Sequence, residues 1–292
     1  MRRPRPLRPG ARIEIVSPSG PLVLEKLHLG MSALQARGFE VVLGLHILDR
    51  SGYLAGDDAG RAEDLQRAWL DDDIDAVLCA RGGYGALRIV DLLDWDKLAK
   101  ARPKPFVGSS DATVLHESFA ALLDVVTWFG PMPATDAFSV DDDVDALITE
   151  LCRPITQTQE LKGSTPLMSG HAVGRTTGGT LTLLAALLGV RAAAAPGPDA
   201  IVLLEDINED AYRIDRMLTQ LLRAGWFDEV AGVALGSWLG CPGAEDVIAE
   251  RLAPLGIPIL AGLPFGHGAR QRTIPLGALA ELDADAGTLT LR

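Results

Sequence analysis

The sequence predicts an α/β protein of two domains: an N-terminal domain built on a parallel sheet and a strand-rich C-terminal α/β domain. Short apolar runs alternate with amphipathic stretches through the first half, which is typical of parallel strands joined by helices. The 292 residues are enough for two separate cores. A polar, turn-rich stretch separates the halves, so we expect domains at 1–150 and 166–292 with a linker region at 151–165.

Five short strands are predicted in the first half, and most are followed by a helix. The apolar runs that indicate strands are 12–16, 40–43, 76–79, 105–107 and 125–128. Helical patterns cover 22–37, 59–70, 86–93 and 111–123. Asp57 or Asp58 is placed to cap the second helix. We interpret the acidic stretch at 141–143 as part of the border between the domains.

The second half is predicted to be richer in strands. Its strand-like runs lie near 156–160, 172–176, 201–204, 230–235 and 258–261, and further strand-like pieces follow between 272 and 291. Gly178 and Gly179 are expected to open an apolar helix at 181–188. A longer helix is predicted at 211–224.

Charge and hydropathy exclude several classes of partner. The formal net charge is −12, and the only basic cluster lies at the start of the chain, so we expect no nucleic-acid partner. No signal-peptide pattern is evident, and no apolar stretch reaches the about 20 residues that span a bilayer. We therefore expect a cytoplasmic protein that has no membrane partner.

The cysteines and glycines predict neither a metal nor a cofactor. Cys79, Cys152 and Cys241 are far apart and form no CxxC motif, so neither a disulfide framework nor a metal site is expected. The phosphate-loop and dinucleotide-binding glycine motifs are absent.

Ser110 is the first candidate catalytic residue because it lies on a predicted strand-to-helix turn. Such a turn exposes the hydroxyl, and the N–H groups at the start of the helix can stabilise an oxyanion. The segment 108–111 (GSSD) lacks the full G-x-S-x-G signature. The alternative is that Ser109, Ser110 and Asp111 only cap the next helix.

A second glycine-rich turn, 81–85 (RGGYG), follows the predicted strand at 76–79. In a parallel sheet this turn could neighbour the Ser110 turn, where ligands bind outside the carboxyl ends of the strands. The alternatives are a phosphate loop and a plain tight turn.

A serine nucleophile requires a base and an orienting acid. His267 lies between glycines after a strand-like run, and Glu205 lies at the end of the strand predicted at 201–204. His28 and His46 are expected to be packed or surface residues, and His116 should point away from the Ser110 turn. His171, in a turn before a strand, is a weak candidate. An ordinary loop histidine and helix-start charges at 205–210 remain the alternatives.

Several segments together resemble the LD-carboxypeptidases, serine peptidases that include the microcin-immunity peptidases. The matching segments run in family order: 17–20 (SPSG), 81–85 (RGGYG), 108–111 (GSSD), 130–132 (GPM), 178–181 (GGTL), 204–206 (LED), 212–218 (YRIDRML) and 265–267 (FGH). The resemblance implies Ser110 as nucleophile, His267 as base and Glu205 as its partner. It also implies an oxyanion hole from the backbone N–H groups of Asp111 and Gly83.

The family further implies an active site between the domains, a homodimer, no cofactor, and release of the terminal D-alanine from a cytoplasmic murein tetrapeptide by cleavage of an L,D-peptide bond. Substrate contacts are expected from the second turn: Arg81, Gly82 and Tyr84. Arg213 and Arg270, like Arg81, are possible anion contacts, although such arginines usually pair with acids.

Three positions depart from the family pattern: Ser109 replaces a common tyrosine, Phe129 a frequent histidine and Thr180 a usual asparagine. We expect these departures to leave the triad untouched and to bear on substrate fit. Two alternatives follow. One is an immunity-type peptidase that cleaves a peptidyl-nucleotide toxin, with a base stacked on Trp128, Trp226 or Trp238. The other is a non-enzymatic two-domain binding protein.

Overall fold

The computed structural model describes residues 1–153 and 157–292. The chain forms two compact units, Met1–Ile155 and Thr156–Arg292. Within the described residues, no helix has both the length and the apolar character needed to cross a membrane.

The N-terminal unit contains a parallel sheet, as the sequence predicts. Its strands are β1 (Arg12–Val16), β2 (Glu40–Leu43), β3 (Ala76–Cys79), β4 (Phe106–Gly108) and β5 (Thr127–Phe129). They lie in the order β5-β4-β3-β1-β2, and every one of these pairs is parallel. The helices are α1 (Leu24–Ala36), α2 (Asp58–Leu70), α3 (Ala86–Ile89), α4 (Trp95–Leu98), α5 (Thr113–Leu123) and α6 (Asp141–Cys152).

Alternation along β1 shows that both faces of this sheet are covered. Ile13 and Ile15 are fully buried in a cluster that also contains apolar residues of α1 and α6. Glu14 points to the opposite face, where it pairs with Arg67 of α2. The α2 helix begins as expected, because the Asp57 carboxylate accepts a hydrogen bond from the backbone N–H of Gly60 at 2.7 Å.

Interpreting the acidic stretch at 141–143 as a border region is wrong. It forms the first turn of α6, where carboxylates are stabilised by the helix dipole. Val144, Leu147 and Leu151 follow at helical spacing and are buried in the core of the N-terminal unit.

The C-terminal unit is strand-rich, and parallel strands form the centre of its sheet. Its strands are β6 (Gln159–Lys162), β7 (Thr165–Met168), β8 (His171–Thr180), β9 (Ala200–Ile207), β10 (Val230–Leu239), β11 (Ile259–Ala261), β12 (Ile274–Leu276), β13 (Leu279–Asp283) and β14 (Thr288–Leu291). Eight of them form a sheet in the order β6-β14-β13-β8-β9-β10-β11-β7. The pairs from β8 to β11 are parallel, and the outer pairs are antiparallel.

Three helices cover apolar side chains of this sheet: α7 (Leu181–Ala186), α8 (Ala211–Arg223) and α9 (Ala244–Leu252). The α9 helix has no counterpart among the helices predicted from the sequence. The β8, β9 and β10 strands are all longer than expected, and two of these corrections concern the site. Gly178 and Gly179 belong to β8 rather than to the start of a helix, and Glu205 lies inside β9 rather than at its end.

The predicted linker region, 151–165, contains regular structure at both of its ends. Its first residues end α6, and β6 and the first residue of β7 lie within it. Residues 154–156 of this region lie outside the described residues, and residue 156 is also the first residue of the strand predicted near 156–160. Pro166 ends the turn-rich stretch of the sequence, but it lies in β7 at the edge of the sheet, where proline is tolerated.

Candidate active site

Ser110 lies on a turn between β4 and α5, and its backbone is left-handed. Its φ of 59° is unfavourable for a residue with a side chain. The residue opens a short 3-10 helix, Ser110–Ala112, that leads into α5. Ser109, at the capping position of this 3-10 helix, makes no side-chain capping bond. A serine on a strand-turn-helix segment has the placement expected of a nucleophile, and the absence of a side-chain capping bond gives the capping alternative no support.

Gly82 packs directly against Ser110, which confirms that the two predicted turns are neighbours. A Cβ atom on Gly82 would lie 2.6 Å from Ser110 Cβ, 2.8 Å from Ser110 Oγ and 3.4 Å from the backbone nitrogen of Asp111. Residue 82 must therefore be glycine for this turn to approach the serine. Gly83 contacts a third loop, since a Cβ atom on it would lie 3.1 Å from Gly20 Cα.

The Asp111 side chain caps α3, and not the 3-10 helix in which Asp111 lies. Its buried carboxylate accepts a hydrogen bond from the backbone N–H of Ala86, the first residue of α3, at 2.8 Å. Burial raises the pKa of Asp111, although the hydrogen bond from the backbone of Ala86 and the charge of Arg61 oppose the rise. The side chain thus holds the RGGYG turn in place, while the backbone N–H of Asp111 lies beside Gly82.

Arg61 also holds these loops, and sequence reasoning missed it. The buried guanidinium donates hydrogen bonds to the carbonyls of Pro18 and Gly85 and pairs with Asp58. The one signal in the sequence was its place on α2, because Arg61 shares a face with the apolar residue Leu65 four positions later.

His267 and Glu205 meet within the C-terminal unit. The Nδ1 atom of His267 lies 2.7 Å from Oε2 of the fully buried Glu205, and the backbone N–H of His267 donates to the same oxygen at 3.1 Å. The Nδ1–H therefore donates to the carboxylate, which fixes the tautomer and leaves Nε2 as the basic nitrogen. Gly266 permits this approach, since its φ is 93° and a Cβ atom on it would lie 2.5 Å from Oε2.

The surroundings of His267 raise its pKa. Burial lowers the pKa of His267, but the hydrogen bond to Glu205 and the charges of Glu205 and Asp206 outweigh burial, and the pKa is raised above its ordinary value. Asp206, the next residue, caps α7 by accepting hydrogen bonds from the backbone N–H and the hydroxyl of Thr182, both at 2.8 Å. Burial raises the pKa of Asp206.

The expectation that none of the three departures touches the predicted triad is wrong for Thr180. Its hydroxyl donates a hydrogen bond to Oε1 of Glu205. The other two departures lie in the N-terminal unit: Ser109 is buried beside Ser110, and Phe129 is buried in β5 with its ring 6.1 Å from that of His116.

The remaining histidines have other partners or are exposed. His116 is fully buried; its Nε2 donates to the Gly108 carbonyl and its Nδ1 accepts from the Thr127 hydroxyl. Burial lowers the pKa of His116 to about 4, so the ring is neutral and supports the end of β4. His46 and His171 pair with Asp49 and Glu281, whereas His28 is exposed on α1.

The predicted substrate-binding side chains lie around the RGGYG turn. Arg81 donates to the Pro21 carbonyl at 3.0 Å, and the exposed Tyr84 ring lies 5.8 Å from that of Tyr53. Arg213 pairs with Glu209 and Asp210, and Arg270 is exposed.

The described part of the chain holds no group of three or more His, Cys, Asp or Glu side chains placed to bind a metal ion. The candidate residues thus fall into two sets. Ser110, Asp111 and the RGGYG turn lie together in the N-terminal unit, and Glu205 and His267 lie together in the C-terminal unit.

Comparison with known proteins identifies both halves of the chain. A model of the LD-carboxypeptidase N-terminal domain matches residues 13–130, and one of the LD-carboxypeptidase C-terminal domain matches residues 173–282. A Streptomyces coelicolor protein named "Putative carboxypeptidase SCO6489" is 49% identical over 99% of this chain and 96% of its own. The murein tetrapeptide carboxypeptidase of Pseudomonas aeruginosa is 32% identical over 94% of each chain.

The fold is shared with a solved structure as well. The wild-type apo structure of the microcin C7 self-immunity protein matches with a TM-score of 0.91 at 24% identity, covering 99% of this chain and 97% of its own.

Proposed function

Because the chain belongs to the LD-carboxypeptidase family of serine peptidases, we propose that it is a serine carboxypeptidase that releases the terminal D-alanine from a murein tetrapeptide. The bond cut is an L,D-peptide bond, and the product serves cell-wall recycling. The name of the Pseudomonas aeruginosa relative supports this substrate class. The observation that carries the chemistry is the imidazole held through Nδ1 by a buried carboxylate, an arrangement that prepares Nε2 to act as a base.

In the proposed mechanism the Ser110 hydroxyl attacks the carbonyl carbon before the terminal D-residue. His267 Nε2 takes the hydroxyl proton and then gives it to the leaving amine, which departs as D-alanine. Water, activated in turn by His267, hydrolyses the acyl-enzyme. Glu205 stabilises the imidazolium, and the backbone N–H groups of Asp111 and Gly83 are proposed to bind the oxyanion. In this proposal domain 1–150 supplies the nucleophile, and domain 166–292 supplies the acid and the base.

The test is D-alanine release from a defined murein tetrapeptide by the Ser110→Ala variant. We expect kcat to fall by at least about 10³-fold, because a triad without its nucleophile retains only binding and oxyanion stabilisation. Ser118→Ala is the matched control, since Ser118 is a buried serine on α5 whose hydroxyl donates to the Val114 carbonyl of the same helix. D-Alanine release by Ser110→Ala at a rate near that of the parent would refute the mechanism.

The same assay addresses the alternative functions. A peptidyl-nucleotide substrate, run beside the tetrapeptide, tests an immunity-type peptidase. Two of the tryptophans expected to stack on a base are largely buried, since Trp128 is 3% and Trp226 5% exposed, so this structure does not favour that alternative. Turnover of neither substrate, together with binding unaffected by Ser110→Ala, would instead indicate a binding protein.

The family resemblance also supports a cytoplasmic homodimer as part of this proposal. Sedimentation velocity of the purified chain tests the dimer, and cell fractionation tests the location. A single species at 31.0 kDa across micromolar concentrations would contradict the dimer.

A further inference from the structure

Strand pairing places Thr180 beside the carboxylate that holds His267. Thr180 is the last residue of β8, and Glu205 is its direct partner in the parallel β8–β9 register. Both side chains are buried, at 3% and 0% exposure. The two carboxylate oxygens have separate donors: the Thr180 hydroxyl bonds Oε1, and both His267 donors bond Oε2.

We propose that Thr180 is a positioning residue, which orients the Glu205 carboxylate so that Oε2 holds the imidazole. This inference rests on the proposed function. A hydrogen bond to a buried carboxylate stabilises its charged form. A donor on each oxygen also opposes rotation of the carboxylate group away from His267. In this proposal Thr180 acts on the reaction through Glu205.

Thr182 separates this role from a structural one. Two residues after Thr180, its hydroxyl donates to Asp206 rather than to Glu205. Both threonines thus tie the start of α7 to neighbouring residues of β9, but only Thr180 contacts the carboxylate that holds His267. Loss of the Thr182 hydroxyl should cost stability, but it leaves the hydrogen bond from Thr180 to the Glu205 carboxylate in place.

The experiment measures kcat, KM and the pH profile of kcat/KM for Thr180→Val, Thr180→Ser and Thr182→Val on the defined murein tetrapeptide. Without the Thr180 hydroxyl, the Glu205–His267 pair binds its extra proton more tightly. The protonated, inactive form of this pair then persists to higher pH. The acid limb of the kcat/KM profile should therefore move up by about 0.5–1 pH unit. We expect kcat to fall about tenfold with KM nearly unchanged.

The controls determine what each outcome means. Thr180→Ser keeps the hydroxyl and should keep the parent acid limb. Thr182→Val reaches His267 only through the charge of Asp206 and should move the limb less than Thr180→Val does. If Thr180→Val does not fold, as judged by its thermal melt, Thr180→Ala replaces it in the comparison with Thr180→Ser. An acid limb and kcat equal to those of the parent in a folded Thr180 variant without the hydroxyl would overturn the inference.

Failure of this inference is distinguishable from failure of the proposed function. Parental activity in the Ser110→Ala and Glu205→Gln variants would refute the proposed serine carboxypeptidase function itself. Inactive Ser110→Ala and Glu205→Gln variants, beside a parental Thr180→Val, would overturn only the role of Thr180.

Discussion

Substituting Gly82 tests the geometry around Ser110 most directly. In the Gly82→Ala variant the new methyl carbon would lie 2.6 Å from Ser110 Cβ and 2.8 Å from its Oγ. Comfortable contacts between carbon atoms begin at about 3.5 Å, so the turn or the serine must move by nearly 1 Å. No positive φ is involved at residue 82, so the effect comes from the contact and not from backbone strain.

A shift of this size has a predictable effect on catalysis. Misplacing a reacting group by about 1 Å can cost about 10²-fold in rate, so we expect kcat/KM to fall about 100-fold. Overpacking a well-filled site costs about 1–3 kcal/mol of stability, so the protein should still fold. D-Alanine release from the murein tetrapeptide measures the first effect, and thermal unfolding measures the second.

Gly197→Ala is the matched control for this experiment. A methyl group on Gly197 would have no described heavy atom within 4 Å apart from its chain neighbours, and the residue has no positive φ, so alanine should be accepted there without loss of activity. A Gly82→Ala variant with kcat/KM within about threefold of the parent, far from the loss that a displacement of about 1 Å implies, would refute the close approach of the two turns.

Two further predictions concern the pH dependence of the described histidines. Glu205→Gln removes a charge that raises the pKa of His267, so kcat should fall about 10³- to 10⁴-fold. The acid limb of the residual activity should move to lower pH, and an unmoved limb would contradict the role of the pair. His116 has a folded pKa of about 4, below its ordinary value of 6.5, so it binds fewer protons when folded and its stabilising effect is lost as pH falls through that interval. Between pH 6.5 and 4 the His116→Gln variant should therefore lose about 3 kcal/mol less unfolding free energy than the parent. Urea denaturation at both pH values measures this loss, and an equal loss in the variant and the parent would contradict the reasoning.

Local sequence signals suffice for the parallel sheet and for the two turns beside Ser110. The β1, β2 and β3 strands have the predicted bounds, because short apolar runs ending in polar or glycine-rich turns are distinctive in parallel sheets. Neighbouring parallel strands also bring their carboxyl ends together, which is why the Gly82 contact with Ser110 can be expected from the sequence.

Contacts between distant residues cannot be predicted in the same way. Thr180 and Glu205 are 25 residues apart and meet only through the β8–β9 register, which the sequence does not specify because its pattern ends the β8 strand before Gly178. The burial of Arg61 depends on carbonyl groups of two separate loops. The α6 helix is not predicted, because its acidic first turn has the composition of a solvent-exposed segment between domains.

The two capping aspartates bear on how mutational screens of this protein should be interpreted. Asp111 and Asp206 each follow a proposed catalytic residue directly, yet their carboxylates hold the first turns of α3 and α7. Alanine at either position would release a helix start next to Ser110 or Glu205, and activity would fall although neither carboxylate takes part in the proposed chemistry. A screen scored on activity alone would thus count five essential polar residues where the mechanism requires three. Thermal stability measured alongside would separate the two aspartates from the triad.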